Sequence, residues 1–321
     1  MIPIFTVNQD YNFANINDLL DAGINCFRLN PARIGFPKTR QLLQTIRQIK
    51  TDADIFIDTP GNKARLHIRN EIKKQKNEQI IVAFDDKTKA EAYVPAYFFK
   101  ELQVDDILIV RAKIPITIKV LEKFNTYLLC SAVNAFDSIK NNTHIFLKNR
   151  CIVNTELNDD DYNVISLVNE ENIGFIALSF SDTVKIIHDA KNAITNGKTK
   201  ILAKIESKIG VMNMRDILDE CDGIIIGRDD LSTVLSNSEI HEVVDQAINL
   251  CRLQNKLCIP ASNYFLGLIE SDRLTNDEYI EINSLNKVHD GYIYCNESVL
   301  SPSLNTINKI REVINQIGVQ Q

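Results

Sequence analysis

Short apolar runs recur along the chain at residues 3–7, 25–29, 55–58, 174–179, 201–205, 223–227, 257–261 and 291–294. Each is too short for a buried helix and is bounded by polar or glycine positions, which reads as a buried strand. Segments with helical spacing follow at about 15–22, 38–50, 159–171, 183–196, 211–220, 239–254, 276–287 and 304–317. Asn17, Asp182 and Ser238 offer side-chain caps for helix starts, and the glycine after Ala22 offers a stop. Eight strand–helix pairs predict an α/β chain wound as a (β/α)8 TIM barrel. A doubly wound open sheet usually uses fewer strands.

The interval 63–155 breaks this rhythm. It holds the runs IIVAFDD, EAYVPAYFF, VDDILIVRAKI, ITIKVLEKF, NTYLLCSAV and THIFLKN, rich in β-branched and aromatic residues. A structureless loop of that length is implausible, so a small all-β domain is expected there, inserted after the third strand. The barrel then comprises residues 1–62 and 156–321. An insert at a barrel mouth suits a lid that excludes water; a purely structural insert is the other reading.

Composition narrows the class. With 45% hydrophobic residues and only 11 glycines and 8 prolines among 321 residues, the chain has the makings of a sizeable core. A net charge of -6 argues against broad attraction to nucleic acid. The 7 cysteines stand singly, several inside apolar runs, as buried thiols in a reducing compartment would. No basic leader and no membrane-length apolar run is visible, so the expected location is the cytoplasm.

Polar residues sit where the apolar runs end. Arg28 and Asn30 close the second run, and Asp58 and Thr59 the third. Lys204 and Glu206 close the fifth, and Arg228, Asp229 and Asp230 follow the sixth. Ser262 and Asn263 follow the seventh, and Glu297 the eighth. The carboxyl ends of parallel strands in a barrel converge on one cavity, so these groups form a candidate site. Glu206 and Asp230 are hard oxygen donors suited to Mg2+ or Mn2+. Lys204, two residues before Glu206, shares its strand face and suits oxyanion stabilisation or proton transfer. A plain Lys204–Glu206 salt bridge is the bland alternative. Arg28 and Arg65 suit bidentate phosphate or carboxylate contacts. There is no P-loop, dinucleotide glycine fingerprint, nucleophile elbow or zinc-type histidine pair.

Several segments resemble pyruvate kinase. GINCFRLNPARIG (23–35) is similar to the family's GMNxARLNFSHG, and DTPGNKAR (58–65) to DTKGPEIR. GFIALSF (174–180), AKIESKIGV (203–211) and DGIIIGRDDL (222–231) resemble FIALSF, AKIENxEGV and DGIMVARGDL. The order holds across nearly the whole chain, including the inserted β-domain. The resemblance implies that Glu206 and Asp230 hold a divalent metal, Mg2+ or Mn2+, which chelates the carboxylate of phosphoenolpyruvate or pyruvate. It implies that Lys204 assists phosphoryl transfer and that Ser262 handles the proton at the enolate methylene. Arg28 would contact phosphate, with Arg65 across the site. Asn30, Asp58 and Thr59 would contribute to a K+ site. ATP or ADP would be the nucleotide.

The chain departs from that pattern at specific places. Ala32 and Arg33 replace a serine and a histidine, which removes one K+ ligand and adds a fixed positive charge. Asp229 replaces the glycine before the metal aspartate, where an added anion repels a substrate carboxylate. Asp182 replaces an arginine, and the lysine-rich run of the insert is weak at 148–154. The expectation is a barrel and insert without the family's carboxyl-terminal regulatory domain, and without control by a sugar phosphate. The segment IES followed by DGIIIGRDDLS also resembles HpcH/HpaI-type aldolases, which carry out metal-assisted enolate chemistry without a nucleotide. Three functions therefore stay open: metal-dependent phosphotransfer on an enolpyruvate-type acid, a lyase acting through a pyruvate-like enolate, and a non-catalytic binding or scaffold role. The expected partner is a small carboxylate, with a nucleotide and a homo-oligomeric state left open; neither nucleic acid nor a membrane is expected.

Overall fold

The computed structural model describes residues 2–7, 16–21, 24–85, 87–148, 150–261 and 291–294, and the single positions 273, 308, 309 and 312. The chain divides into two compact units, Met1–Gly61 with Asn154–Gln321, and Asn62–Val153.

The first unit opens with β1 (Ile2–Thr6), α1 (Ile16–Asp21), β2 (Cys26–Leu29), α2 (Pro31–Ile34), α3 (Phe36–Ile49) and β3 (Asp54–Asp58). The second unit follows as β4 (Arg65–Ile68), β5 (Gln79–Ala83), β6 (Ala92–Tyr93), α4 (Ala96–Glu101), β7 (Ile107–Val110), β8 (Ile116–Lys123), β9 (Tyr127–Ala132) and β10 (Thr143–Leu147). The chain then returns to the first unit through α5 (Asp159–Glu171), β11 (Phe175–Leu178), α6 (Val184–Ala193), β12 (Lys200–Ile205), α7 (Lys208–Met212) and α8 (Met214–Asp219). It continues as β13 (Gly223–Gly227), α9 (Arg228–Leu231), α10 (Asn237–Gln254), β14 (Leu257–Ala261) and β15 (Gly291–Tyr294).

The first unit is a parallel eight-stranded sheet in the order β14-β13-β12-β11-β3-β2-β1-β15, curled so that β14 and β15 lie side by side. The second unit is a closed barrel in the order β10-β4-β6-β5-β9-β8-β7. The fold is thus a TIM barrel with a β-domain inserted after the third strand.

Side-chain alternation explains where the core lies. Ile4, Cys26, Phe56, Ala177, Leu202, Ile225 and Ile259 come one each from β1, β2, β3, β11, β12, β13 and β14 and pack together as the inside of the barrel. Their neighbours in sequence, such as Phe5, Phe27, Ile57, Ile176, Ala203 and Ile224, pack outward against α3, α5, α6, α8 and α10. Advancing by two residues along the inward face leads from Ile4 to Thr6, Cys26 to Arg28, Phe56 to Asp58, Ala177 to Ser179, and Leu202 to Lys204 and Glu206. One apolar layer therefore floors a polar one at the carboxyl ends of the strands.

Some local expectations are corrected. Residues 211–220 are two short helices, α7 and α8, broken at Asn213, whose side-chain amide donates to the carbonyl of Asp182 at 2.8 Å. Asp182 caps no helix; its carboxylate accepts the Asn154 N–H and the Ser207 hydroxyl. Ser236, rather than Ser238, caps α10, through a reciprocal capping box with Glu239. Asn17 lies inside α1. In the insert, EAYVPAYFF ends in helix α4, entered through Pro95, with Phe98 and Phe99 buried on its inner side. The helix expected at 276–287, nearly all of 304–317, the stop at Gly23, and Ser262, Asn263 and Glu297 lie outside the described residues.

Cys26, Cys130, Cys221, Cys251 and Cys258 are buried, while Cys151 is exposed. Burial pushes the Cys221 thiol up to about 11, so it stays unreactive at neutral pH. Among the described residues no helix is long and apolar enough to cross a membrane.

Candidate functional site

The polar layer is built around one buried carboxylate. Asp58, at the end of β3, is 1% exposed and takes both arms of the Arg28 fork, Nε to Oδ1 at 3.0 Å and Nη2 to Oδ2 at 2.7 Å. Arg28 reaches it from the adjacent strand β2 and also donates from Nη1 to the Thr6 hydroxyl at 3.2 Å. Lys204, on β12, donates to Asp58 Oδ2 at 3.2 Å and to the Ser179 hydroxyl at 3.1 Å, and pairs with Glu206 Oε1 at 3.0 Å. Burial by itself raises the Asp58 carboxyl, but the Arg28 and Lys204 charges overcome it and hold the group at about 2. Burial likewise works against the Lys204 ammonium, yet Asp58 and Glu206 hold it well above the ordinary lysine range. Lys204 is therefore held as a cation at neutral pH.

Glu206 is oriented from three sides. Its Oε1 faces Lys204, and its Oε2 accepts the Phe180 N–H at 3.0 Å. Phe180 holds φ at 51°, in the left-handed region that costs an ordinary residue about 1–2 kcal/mol. The turn holding it is pinned by Asn154, which donates to the Phe180 carbonyl, and by Ser181, whose hydroxyl donates to the Leu178 carbonyl. The third side is Gly227: a Cβ there would lie 2.6 Å from Glu206 Cγ. The glycine thus lets the end of β13 pass directly against the carboxylate. Asp230, buried in the α9 turn three residues on, brings a second carboxylate to the neighbouring strand end.

A second buried acid anchors the exit of β3. Asp161, in the capping box that starts α5, accepts the Gly61 N–H at 2.8 Å and the Thr59 hydroxyl. Thr59 Oγ1 in turn accepts the Ser179 N–H at 3.0 Å. Gly61 has φ of 65°, and a Cβ there would stand 2.8 Å from that of Ser179, so only glycine fits both constraints. Burial raises the Asp161 carboxyl above the ordinary aspartate range, against its backbone hydrogen bonds.

The structure therefore brings together Arg28, Asp58, Lys204 and Glu206. Asn30 stands at the start of α2, and Arg33 is exposed in that helix's last turn. Arg228 donates from Nε to the Ala261 carbonyl at 3.2 Å, and Asp229 is half-buried beside Asp230. Arg65 belongs to the second unit, where it donates to the Asn142 carbonyl at 3.0 Å. Ser179, Thr6 and Asp161 escaped the sequence reading. Ser179 carried a signal, since it lies on the inward parity of β11 within the quoted FIALSF segment. Among the described residues no three or more His, Cys, Asp or Glu side chains converge as a ready-made metal cluster.

Comparison with known proteins shows the family of this barrel. A family model described as "Pyruvate kinase, barrel domain" matches residues 6–298. The chain belongs to the pyruvate kinase family through that domain. It is 27% identical over 275 residues to pyruvate kinase of Borreliella burgdorferi, covering 84% of this chain and 57% of the relative. It is 25% identical over 290 residues to pyruvate kinase of Staphylococcus saprophyticus, covering 86% and 49%. Against plastidial pyruvate kinase 2 of Arabidopsis thaliana the identity is 22% over 275 residues, covering 82% and 47%. The chain spans about half the length of the curated relatives it matches.

Proposed function

We propose that the strand-end cluster binds a small enolpyruvate-type acid with a divalent cation, and that the chain transfers a phosphoryl group between that acid and a nucleotide. The observation that carries this reading is the buried convergence of Lys204 on Asp58 and Glu206, beside Arg28. Glu206 and Asp230 are hard oxygen donors at neighbouring strand ends, the donor type that Mg2+ and Mn2+ take, with substrate and water completing the shell. When bound, such a cation supplies Lewis-acid polarisation of substrate oxygens. Lys204 keeps its proton and stabilises negative charge developing on the enol oxygen. Arg28, fixed by Asp58 and Thr6, contributes positive charge toward the phosphoryl oxygens. The apolar floor below them excludes water, which strengthens each of these interactions.

One observation supports a second reading. Asp229 is half-buried directly beside Asp230, where the family pattern has a glycine. A further anion there repels the carboxylate of either substrate and opposes a phosphorylated acid more strongly than an unphosphorylated one, which favours a changed reaction without a nucleotide. The metal assignment is common to both readings. Titration of Mn2+ by electron paramagnetic resonance, with oxalate present, tests it. The Glu206→Gln/Asp230→Asn double variant is expected to weaken Mn2+ binding by about 100-fold or more. Equal affinity in the double variant and the parent would remove both carboxylates from the assignment.

A further inference from the structure

We propose that Asp182 is a positioning residue that holds Glu206 in its ligand pose, acting through the buried turn from Phe180 to Asp182. The inference rests on the reading of Glu206 as a metal ligand. Glu206 Oε2 accepts the Phe180 N–H at 3.0 Å, so whatever aims that N–H also aims the carboxylate. Phe180 has φ of 51°, a conformation an ordinary residue keeps only when its surroundings enforce it. The Ser181 N–H donates to the Lys204 carbonyl at 3.1 Å, which ties the turn to β12. The Asp182 N–H closes the turn on the Phe180 carbonyl at 2.9 Å, and the Asn154 side-chain amide donates to the same carbonyl at 3.0 Å.

The Asp182 carboxylate joins this turn to Glu206 from the other side. It is 2% exposed, and it accepts the Asn154 N–H on Oδ2 at 2.8 Å and the Ser207 hydroxyl on Oδ1. Asn154 is the residue that grips Phe180, and Ser207 directly follows Glu206. One carboxylate therefore fixes both the turn that donates to Glu206 and the backbone that carries it. Among the described residues its partners are neutral donors, and burial raises the carboxyl above the ordinary aspartate range. Capping α7 does not call for that cost, since the Ser207 hydroxyl already accepts the Gly210 N–H at 2.9 Å. What the pair of donors does require is an acceptor on both oxygens, which a carboxylate has and an amide lacks. The arginine of the family pattern has only donors and could make neither bond, so this support belongs to the present chain.

Asp182→Asn keeps the shape of the side chain and leaves one of the two donors facing an amide NH2. Ser207→Ala removes the hydroxyl alone and carries the test if the first variant does not fold. Hydrogen exchange by NMR on the full, metal-free chain compares the Phe180 amide with those of β11; a general loss of stability speeds both, whereas a released turn speeds Phe180 alone. Mn2+ titration by electron paramagnetic resonance, with oxalate present, reads the pose of Glu206. In each variant the Phe180 amide is expected to exchange about tenfold or more faster relative to β11, and Mn2+ to bind about tenfold or more weakly. Parent-like relative protection of Phe180 overturns the proposal, and so does unchanged Mn2+ affinity in a parent that binds the ion through Glu206. If the parent binds no Mn2+, or the Glu206→Gln/Asp230→Asn variant binds it equally well, the metal reading fails. The Phe180 amide alone then decides whether Asp182 positions Glu206.

Discussion

Replacing Arg28 with methionine is expected to destabilise the barrel by about 3 kcal/mol, because the change leaves a buried carboxylate without its bidentate partner. Asp58 is 1% exposed and would keep only Lys204 at 3.2 Å. The pH dependence gives a sharper signature than the loss itself. In the parent, Asp58 titrates at about 2, below its ordinary value of 3.8, so the native state binds fewer protons than the unfolded one. Its contribution, on the order of 2 kcal/mol, is fully present above about pH 4 and is lost as pH falls toward about 2. Without Arg28, burial pushes the carboxyl upward against Lys204 alone, so acid unfolding should begin at higher pH. Urea unfolding followed by circular dichroism from pH 2 to 7 reads both effects. An unchanged acid limb would show that Arg28 does not hold Asp58 ionised.

Gly227→Ala should separate the site from the fold. Gly227 has φ of -83°, which alanine adopts freely, so the backbone does not oppose the change. The new methyl would instead stand 2.6 Å from Glu206 Cγ. Glu206 can yield only by releasing Lys204 or the Phe180 N–H, each held at 3.0 Å. Mn2+-supported oxalate affinity is expected to fall by about tenfold or more, since the ligand carboxylate is displaced. Stability should drop modestly. Gly223→Ala is the contrasting lesion on the same strand. Its Cβ would run into the Leu257 carbonyl oxygen, an overpacking that costs about 1–3 kcal/mol while leaving Glu206 in place. Calorimetric binding and urea unfolding on the two variants give the comparison. Full oxalate affinity in Gly227→Ala would mean that Glu206 is not a ligand.

These contrasts show what could be read from the chain and what could not. The barrel strands were legible because each is an apolar run of four to six residues, bounded by polar or glycine positions. The polar layer was legible in part, because the residues ending those runs share the inward parity. Asp58 reads as a ligand in sequence, but only the fold shows that Arg28 and Lys204 donate to its oxygens. Ser179 and Asp161 are held by partners 25 and 100 residues away, a distance over which no local pattern speaks. The left-handed turn at Phe180 was hidden for the same reason, since its support comes from Asn154 and Glu206. Asp182 was misread because a carboxylate just before a helix looks like a cap, whereas burial and the Ser207 hydroxyl direct it elsewhere. The Ser236–Glu239 capping box, by contrast, stands in the sequence at its usual spacing and outcompetes Ser238.

Phosphoryl transfer by this cluster requires that it make an enolate from a small 2-oxo acid. Proton NMR of pyruvate in D2O, with Mg2+ or Mn2+ and with or without ATP, tests it most directly. The expected result is methyl-proton exchange that requires the divalent cation and ATP and is lost in Lys204→Met. Exchange that needs the cation but not ATP would move the assignment to the lyase-type reading. No exchange in the parent protein under any of these conditions would rule out enolate formation from pyruvate at this cluster.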